Sequence, residues 1–123
     1  MVHHRFSRDL RLTDAAQYRA VFKQAVACSS EYFTLLAIEN HCRHGRLGFA
    51  IARRRIPHAV KRNTIKRVAR ESFRQRGDEL AGLDIVVIAK NAADNADKKR
   101  LRGTLDRQWQ RLCKRVRRES VDG

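Results

Sequence analysis

Arg62, Lys66, Arg70 and Arg74 recur at intervals of four residues, the spacing that sets side chains in one line along an α-helix. Four cations in a line can follow a phosphate backbone, and the arginine fork fits phosphate oxygens in pairs. Asn63 and Arg67 lie alongside the line. The Asn63 amide both donates and accepts, so it suits a base edge, a 2′-hydroxyl or a metal-bound water; a plain hydrogen bond at the helix start suits it equally. Arg53-Arg54-Arg55 extends the patch on the N-terminal side. Cations this close repel one another and weaken an isolated helix, a cost more readily tolerated where phosphates lie against them.

Other chemistries find less support. A self-sufficient ribonuclease needs a histidine pair or a metal-holding carboxylate cluster. His3, His4, His41, His44 and His58 fall mostly in expected loops and termini, and Asp94 and Asp97 have no third carboxylate converging in sequence. No catalytic residue is therefore assigned. His41-Cys42-x-His44 is compact, but no second pair is spaced to complete a tetrahedral site, so no metal site is assigned either.

Composition agrees with a polyanionic partner. The 123 residues carry 28 Lys and Arg against 13 Asp and Glu, a formal net charge of +15, and a partner of opposite charge relieves that self-repulsion. An anionic membrane surface fits less well, because each apolar helix face is needed for a core. No apolar run reaches transmembrane length, and Met1–Phe6 has no hydrophobic stretch of signal-peptide type. Cys28, Cys42 and Cys113 are odd in number and lack CxxC spacing, as reduced thiols would be. A cytoplasmic protein without membrane contact is expected.

The elements that position the cationic line follow from periodicity. The length suits one domain. Thr13 as N-cap, with Asp14 in the first turn, opens a helix over about 14–24 that carries Tyr18, Val21 and Phe22. Tyr32–Ile38 and Arg46–Ala52 are β-prone runs joined by a polar connector ending at Gly45, which reads as an antiparallel hairpin. Pro57 marks a boundary before a helix over about 58–76 that stops at Gly77, a C′ candidate. Leu83–Ala89 is apolar on both faces, hence central. Asn91–Asp97 is a loop able to cap a last helix over about 97–117, with the stripe Leu101, Leu105, Trp109, Leu112 and Val116. One sheet with helices mainly on one side buries these faces.

Charge alone does not single out the middle helix. Arg53–Arg76 and Lys98–Arg118 each hold ten basic residues and one acidic residue. In the last helix the cations spread over everything outside the apolar stripe, as on a solvated amphipathic helix; in the middle one they align. Single strands are bound by basic tracks with aromatic rings, for which Tyr18, Phe22, Tyr32, Phe33 and Phe49 are the candidates. Phe33 and Phe49, inside strands, are expected in the core, and Tyr18 is the better candidate for exposure.

Lys61–Arg74, reading Lys-Arg-Asn-Thr-Ile-Lys-Arg-Val-Ala-Arg-Glu-Ser-Phe-Arg, resembles the signature helix of the bacterial ribonuclease P protein subunit, whose pattern is Arg-Asn-Arg-x-Lys-Arg followed by Arg-Glu-x-Phe-Arg. Phe6-Ser7-Arg8 with Arg11-Leu12 is similar to that family's N-terminal segment, and Tyr18–Phe22 to its first helix. Arg46-Leu47-Gly48, Asp84–Lys90 and Trp109-x-x-Leu112 fit in order, so the resemblance runs from about Phe6 to Leu112. Thr64 departs from the pattern where its second arginine stands. Arg53 and Arg54 replace the usual lysine pair, keeping its charge but not its chemistry.

The resemblance implies an α+β fold, an α/β sandwich of one domain over residues 1–123 with an ordered core of about 6–117. Its order is αβββαβα, with one mixed four-stranded sheet and a left-handed β-α-β crossover, of the ribosomal protein S5 domain 2-like type. It implies the RNA-binding protein subunit of ribonuclease P, an endonuclease and hydrolase that removes the 5′ leader of precursor tRNA. The RNA subunit is the catalyst there and uses Mg²⁺. The implied partners are ribonuclease P RNA, one to one, and precursor tRNA. Arg53, Arg54, Arg62, Asn63, Lys66, Arg67, Arg70 and Arg74 are then the RNA-binding set, and Phe6, Tyr18 and Phe22 line the leader-binding cleft. The alternative is a structural or ribosomal-type RNA-binding protein without a part in tRNA processing.

Overall fold

The computed structural model describes residues 10–122. Its elements are α1 (Ala15–Gln24), β1 (Val26–Ser29), β2 (Phe33–Glu39), β3 (Arg46–Ala50), α2 (Ala59–Gln75), β4 (Leu83–Ala89) and α3 (Lys98–Asp122), with a 3-10 turn over Asn91–Asn95. The order αβββαβα matches the expectation. The four strands form one mixed sheet in the order β1-β2-β4-β3.

That order overturns the expected hairpin. β2 and β3 are not neighbours, because β4 lies between them, antiparallel to β2 and parallel to β3. The run Leu83–Ala89, apolar on both faces apart from Asp84, demands burial on both faces, and only an inner position supplies it. Its burial is nearly unbroken. The short β1, which lies past the expected end of the first helix at about 24 and which periodicity assigns to no strand, pairs with β2 from Val26↔Ala37 to Ser29↔Thr34.

Alternation along β2 and β4 divides the core. Leu35, Ala37, Ile85 and Val87 join α2 and α3 in the larger cluster. Leu36, Ile38, Val86 and Ile88 face Leu12, Tyr18 and Val21 on the other side. Two helices therefore cover one face, and α1 covers part of the other. The apolar stripe of α3 is buried along its length, from Leu101 to Val116. Trp109 meets Phe73 edge to face, with ring centroids 5.9 Å apart, and its Nε1 donates to Ser72 Oγ at 2.7 Å. Ser72 in turn donates to Asp106, so a polar chain crosses the α2–α3 contact with its groups satisfied.

Helix ends refine the expected boundaries. The N-cap of α1 is Asp14, not Thr13: Asp14 Oδ1 accepts from Gln17 N at 2.9 Å. The Gln17 side chain reaches back to the amides of Asp14 and Thr13, and this reciprocal arrangement decides between the two caps. α2 starts at Ala59 behind the N-cap His58, so Pro57 lies outside it. Gly77 follows the C-cap Arg76 as expected, but among the described glycines the positive φ belongs to Gly82, at 83°. Asp97 caps α3 through Arg100 N at 2.8 Å, and that helix extends past 117 to Asp122.

Candidate nucleic-acid interface

β3 is an edge strand, and the candidate residues meet around it. The chain before α1 runs beside it: Arg11 bridges Leu47, and Leu12 N donates to Leu47 O at 3.0 Å. On the α1 side, Tyr18 lies over Gly48, and its hydroxyl accepts from Phe49 N at 3.2 Å. That bond satisfies an edge-strand amide that β4 does not take. On the α2 side, the Arg70 guanidinium stands over the Phe49 ring, 5.3 Å from its centroid.

A cavity of about 380 Å³ opens beside this stack, lined by Arg11, Asn63, Arg67, Arg70, Glu71 and Arg74. Glu71 is the one acid in the lining, and it is ion-paired at 3.7 Å to Arg102 from α3. Arg70 Nε is buried and has no hydrogen-bond partner among the described residues. Burial, and then the neighbouring charge of Arg11, hold the Arg70 guanidinium below its ordinary pKa, with Tyr18 acting the other way. An orphaned donor next to a second guanidinium is an unfavourable arrangement that an anion reverses.

The predicted residues divide into those that face this site and those with other partners. Around the cavity Asn63 and Arg67 are exposed and Arg70 and Arg74 half-buried, while Lys66, also half-buried, is not part of its lining. Arg62 instead turns back on its own chain, donating through Nη1 to the carbonyls of Ile56 and Pro57, both at 2.8 Å. It braces the turn that presents Arg53, Arg54 and Arg55, all exposed. Thr64 Oγ1 bonds Val60 O at 3.0 Å, one turn back in α2.

The aromatic residues come out differently from the expectation. Tyr18 is half-buried under its hydrogen bond, whereas Phe22 is 50% exposed on α1. The Tyr18 hydroxyl finds a backbone amide instead of water, and that draws the ring inward. Phe33 is buried as expected and Tyr32 is buried as well, whereas Phe49, expected in the core, is only partly buried, because one of its faces carries Arg70. Phe6 lies outside the described residues. Sequence reasoning missed Arg11 as a neighbour of the signature helix; it enters only through the bridge to Leu47.

The His41–His44 loop has a structural explanation. Asn40 Oδ1 accepts from Cys42 N at 2.7 Å, and Asn40 Nδ2 donates to His44 O at 3.3 Å and to Asp84 Oδ1 at 2.8 Å. Asp84, buried in β4, receives two bonds of 2.7 Å from Arg46. This bond to Asp84 raises the Arg46 pKa above its ordinary value. Among the described residues no group of three or more His, Cys, Asp or Glu is placed to hold a metal ion. None of the described helices is long and apolar enough to cross a membrane.

These features define a basic α+β domain with a cationic groove at the open edge of its sheet. The chain belongs to the Ribonuclease P family, whose sequence model matches residues 6–113. It is 43% identical to the ribonuclease P protein component of Aliivibrio salmonicida over 113 residues, which are 92% of this chain and 97% of that protein. Against the Histophilus somni component the identity is 38%, covering 96% and 99%. Among solved structures, the Staphylococcus aureus RNase P protein superimposes with a TM-score of 0.76 at 25% identity, covering 82% of this chain and 93% of that one. The Thermotoga maritima RNase P protein in complex with 1-(4-fluorophenyl)-2-thiourea gives 0.71 at 30% identity, covering 86% and 99%.

Proposed function

We propose that this chain binds ribonuclease P RNA and the 5′ leader of precursor tRNA, and so assists the RNA-catalysed removal of that leader in the cytoplasm. The observation that carries the reading is the groove at the β3 edge, where Arg70, with its orphaned Nε, joins Arg11, Asn63 and Arg67. Phosphates entering there gain charge-assisted bonds and relieve the mutual repulsion of the arginines. Phe22, exposed on α1, offers a ring on which an unpaired leader base stacks. Arg53, Arg54, Lys66 and Arg74 extend the cationic surface. Arg62 contributes by holding the Arg53–Arg55 turn as well as by its charge.

In this reading the chemistry and its Mg²⁺ belong to the RNA subunit. The protein supplies positioning and charge neutralisation, one copy per RNA. Reconstitution with ribonuclease P RNA at low Mg²⁺ tests it: precursor-tRNA cleavage should rise well above that of the RNA alone. The affinity gain should shrink when the leader is cut to one or two nucleotides. No gain in cleavage at low Mg²⁺ overturns the reading in favour of a structural RNA-binding protein.

A further inference from the structure

The second basic segment, which sequence alone leaves as an ordinary solvated face, is more ordered than its composition suggests. Along α3, Arg100, Arg107, Arg111, Lys114 and Arg118 are all exposed. At 100° per residue they fall within a strip about 60° wide, centred on the side opposite the buried Leu101–Val116 stripe. From Arg100 to Arg118 the strip is about 27 Å long at 1.5 Å per residue.

Nothing acidic interrupts it. Arg102 takes up both Glu71 and Asp106, at 3.7 and 3.1 Å, on the flank facing α2. The five strip residues form no ion pair among the described residues. Their spacings of three, four and seven set like charges side by side, and Lys98 and Lys99 place two more cations beside Arg100 at the helix start, where the helix dipole disfavours them. A helix required only to cover the core has no need of this alignment.

We propose that this outer face of α3 is a second RNA-binding surface, fitted to the phosphate backbone of double-helical RNA. Charge complementarity names a polyanion, and two observations choose the duplex. The strip lies on one continuous 25-residue helix, so its cations have a fixed line. Single strands are held by cations interleaved with aromatic rings, and the one aromatic residue of α3, Trp109, is fully buried. Duplex RNA is recognised through its shape and phosphates, for which cations alone suffice. The surface is separate from the β3 groove: the α2 contact of α3 runs through Arg102, Asp106 and Trp109, on the flank away from the strip.

The test substitutes all five residues with glutamine, which keeps the helix-forming character of the positions. Binding of the full-length protein to a 20-base-pair RNA duplex, and to a single strand of equal length, is followed by fluorescence anisotropy across a salt series. Each lost phosphate contact flattens the plot of log affinity against log salt by about 0.9. The variant should therefore bind the duplex more than about tenfold more weakly at low salt, with a slope shallower by about 3 to 4.5. Its thermal midpoint should be equal to the parent's or higher, since repulsion has been removed. Single-strand binding, which belongs to the β3 groove, should change much less. A stably folded variant with the parent's duplex affinity and salt slope overturns the proposal, and so does an equal loss on both probes.

Discussion

Arg70 and Phe49 form one stacked unit, with the guanidinium carbon 5.3 Å from the ring centroid and Nε buried without a partner among the described residues. The unit joins the signature helix to the edge strand. Beyond the strand, the Phe49 amide is held by Tyr18, so the two candidate sets, α2 cations and α1 aromatics, meet through a single residue of β3. Replacing Arg70 with lysine keeps the net charge but removes the planar fork and most of the stacking. Affinity for ribonuclease P RNA should fall about tenfold, equivalent to ~1.4 kcal/mol. Affinity equal to the parent's would show that only charge matters at this position.

Gly48 is fixed by the same arrangement. A Cβ there would stand 2.5 Å from Tyr18 Oη and 2.7 Å from its Cζ. Gly48→Ala should push the ring off β3, break its bond to Phe49 N and cost about 2 kcal/mol of stability. The clash has a single cause, so a double-mutant cycle checks it. In a Tyr18→Ala background the alanine should cost almost nothing, and a cost that persists there points to strain in the β3 backbone instead.

How much of this was legible in the sequence depended on the range of the signal. The α2 line was legible because a helix converts a spacing of four directly into proximity, and the central place of β4 followed from a run that is apolar on both faces. Strand order was not legible: Tyr32–Ile38 and Arg46–Ala52 are close in sequence, and nothing local announces that a strand from beyond residue 80 enters between them. Orientation was equally hidden. Arg62 has the spacing of a phosphate ligand but turns onto the carbonyls of Ile56 and Pro57. Asn40 looks like connector sequence, yet it ties its loop to the buried Asp84–Arg46 pair. Periodicity encodes which side chains share a face, not which backbone carbonyl or distant carboxylate one of them turns to.

Cys113 gives the stability a pH dependence of definite sign. Burial, and then Glu79, hold its thiol above the ordinary pKa, with Arg117 acting the other way. The unfolded chain therefore ionises this thiol first and binds fewer protons than the folded one, so stability falls as pH rises. The loss begins near the ordinary thiol value, about 8.5, and continues towards the folded-state pKa. Chemical denaturation between about pH 7 and 10 should show a shallower decline for Cys113→Ala than for the parent. Identical slopes would mean that the folded thiol is as easily ionised as an exposed one.

Thr64 stands where the family pattern has its second arginine, and the structure shows what the threonine does there. Its hydroxyl is turned back onto Val60 O at 3.0 Å, a local bond that adds little to a helix and withdraws the side chain from any ligand. Its position on α2 is next to Asn63 and half-exposed, so a longer side chain has room to extend. Thr64→Arg should raise helix stability by a few tenths of a kcal/mol and add one phosphate contact. Affinity for ribonuclease P RNA should then rise about fivefold at moderate salt, with a salt slope steeper by about 0.7 to 0.9. A tighter complex with an unchanged slope would trace the gain to the helix alone. An unchanged affinity would mean that Arg67 and Arg70 already neutralise the phosphate that an arginine at position 64 would reach.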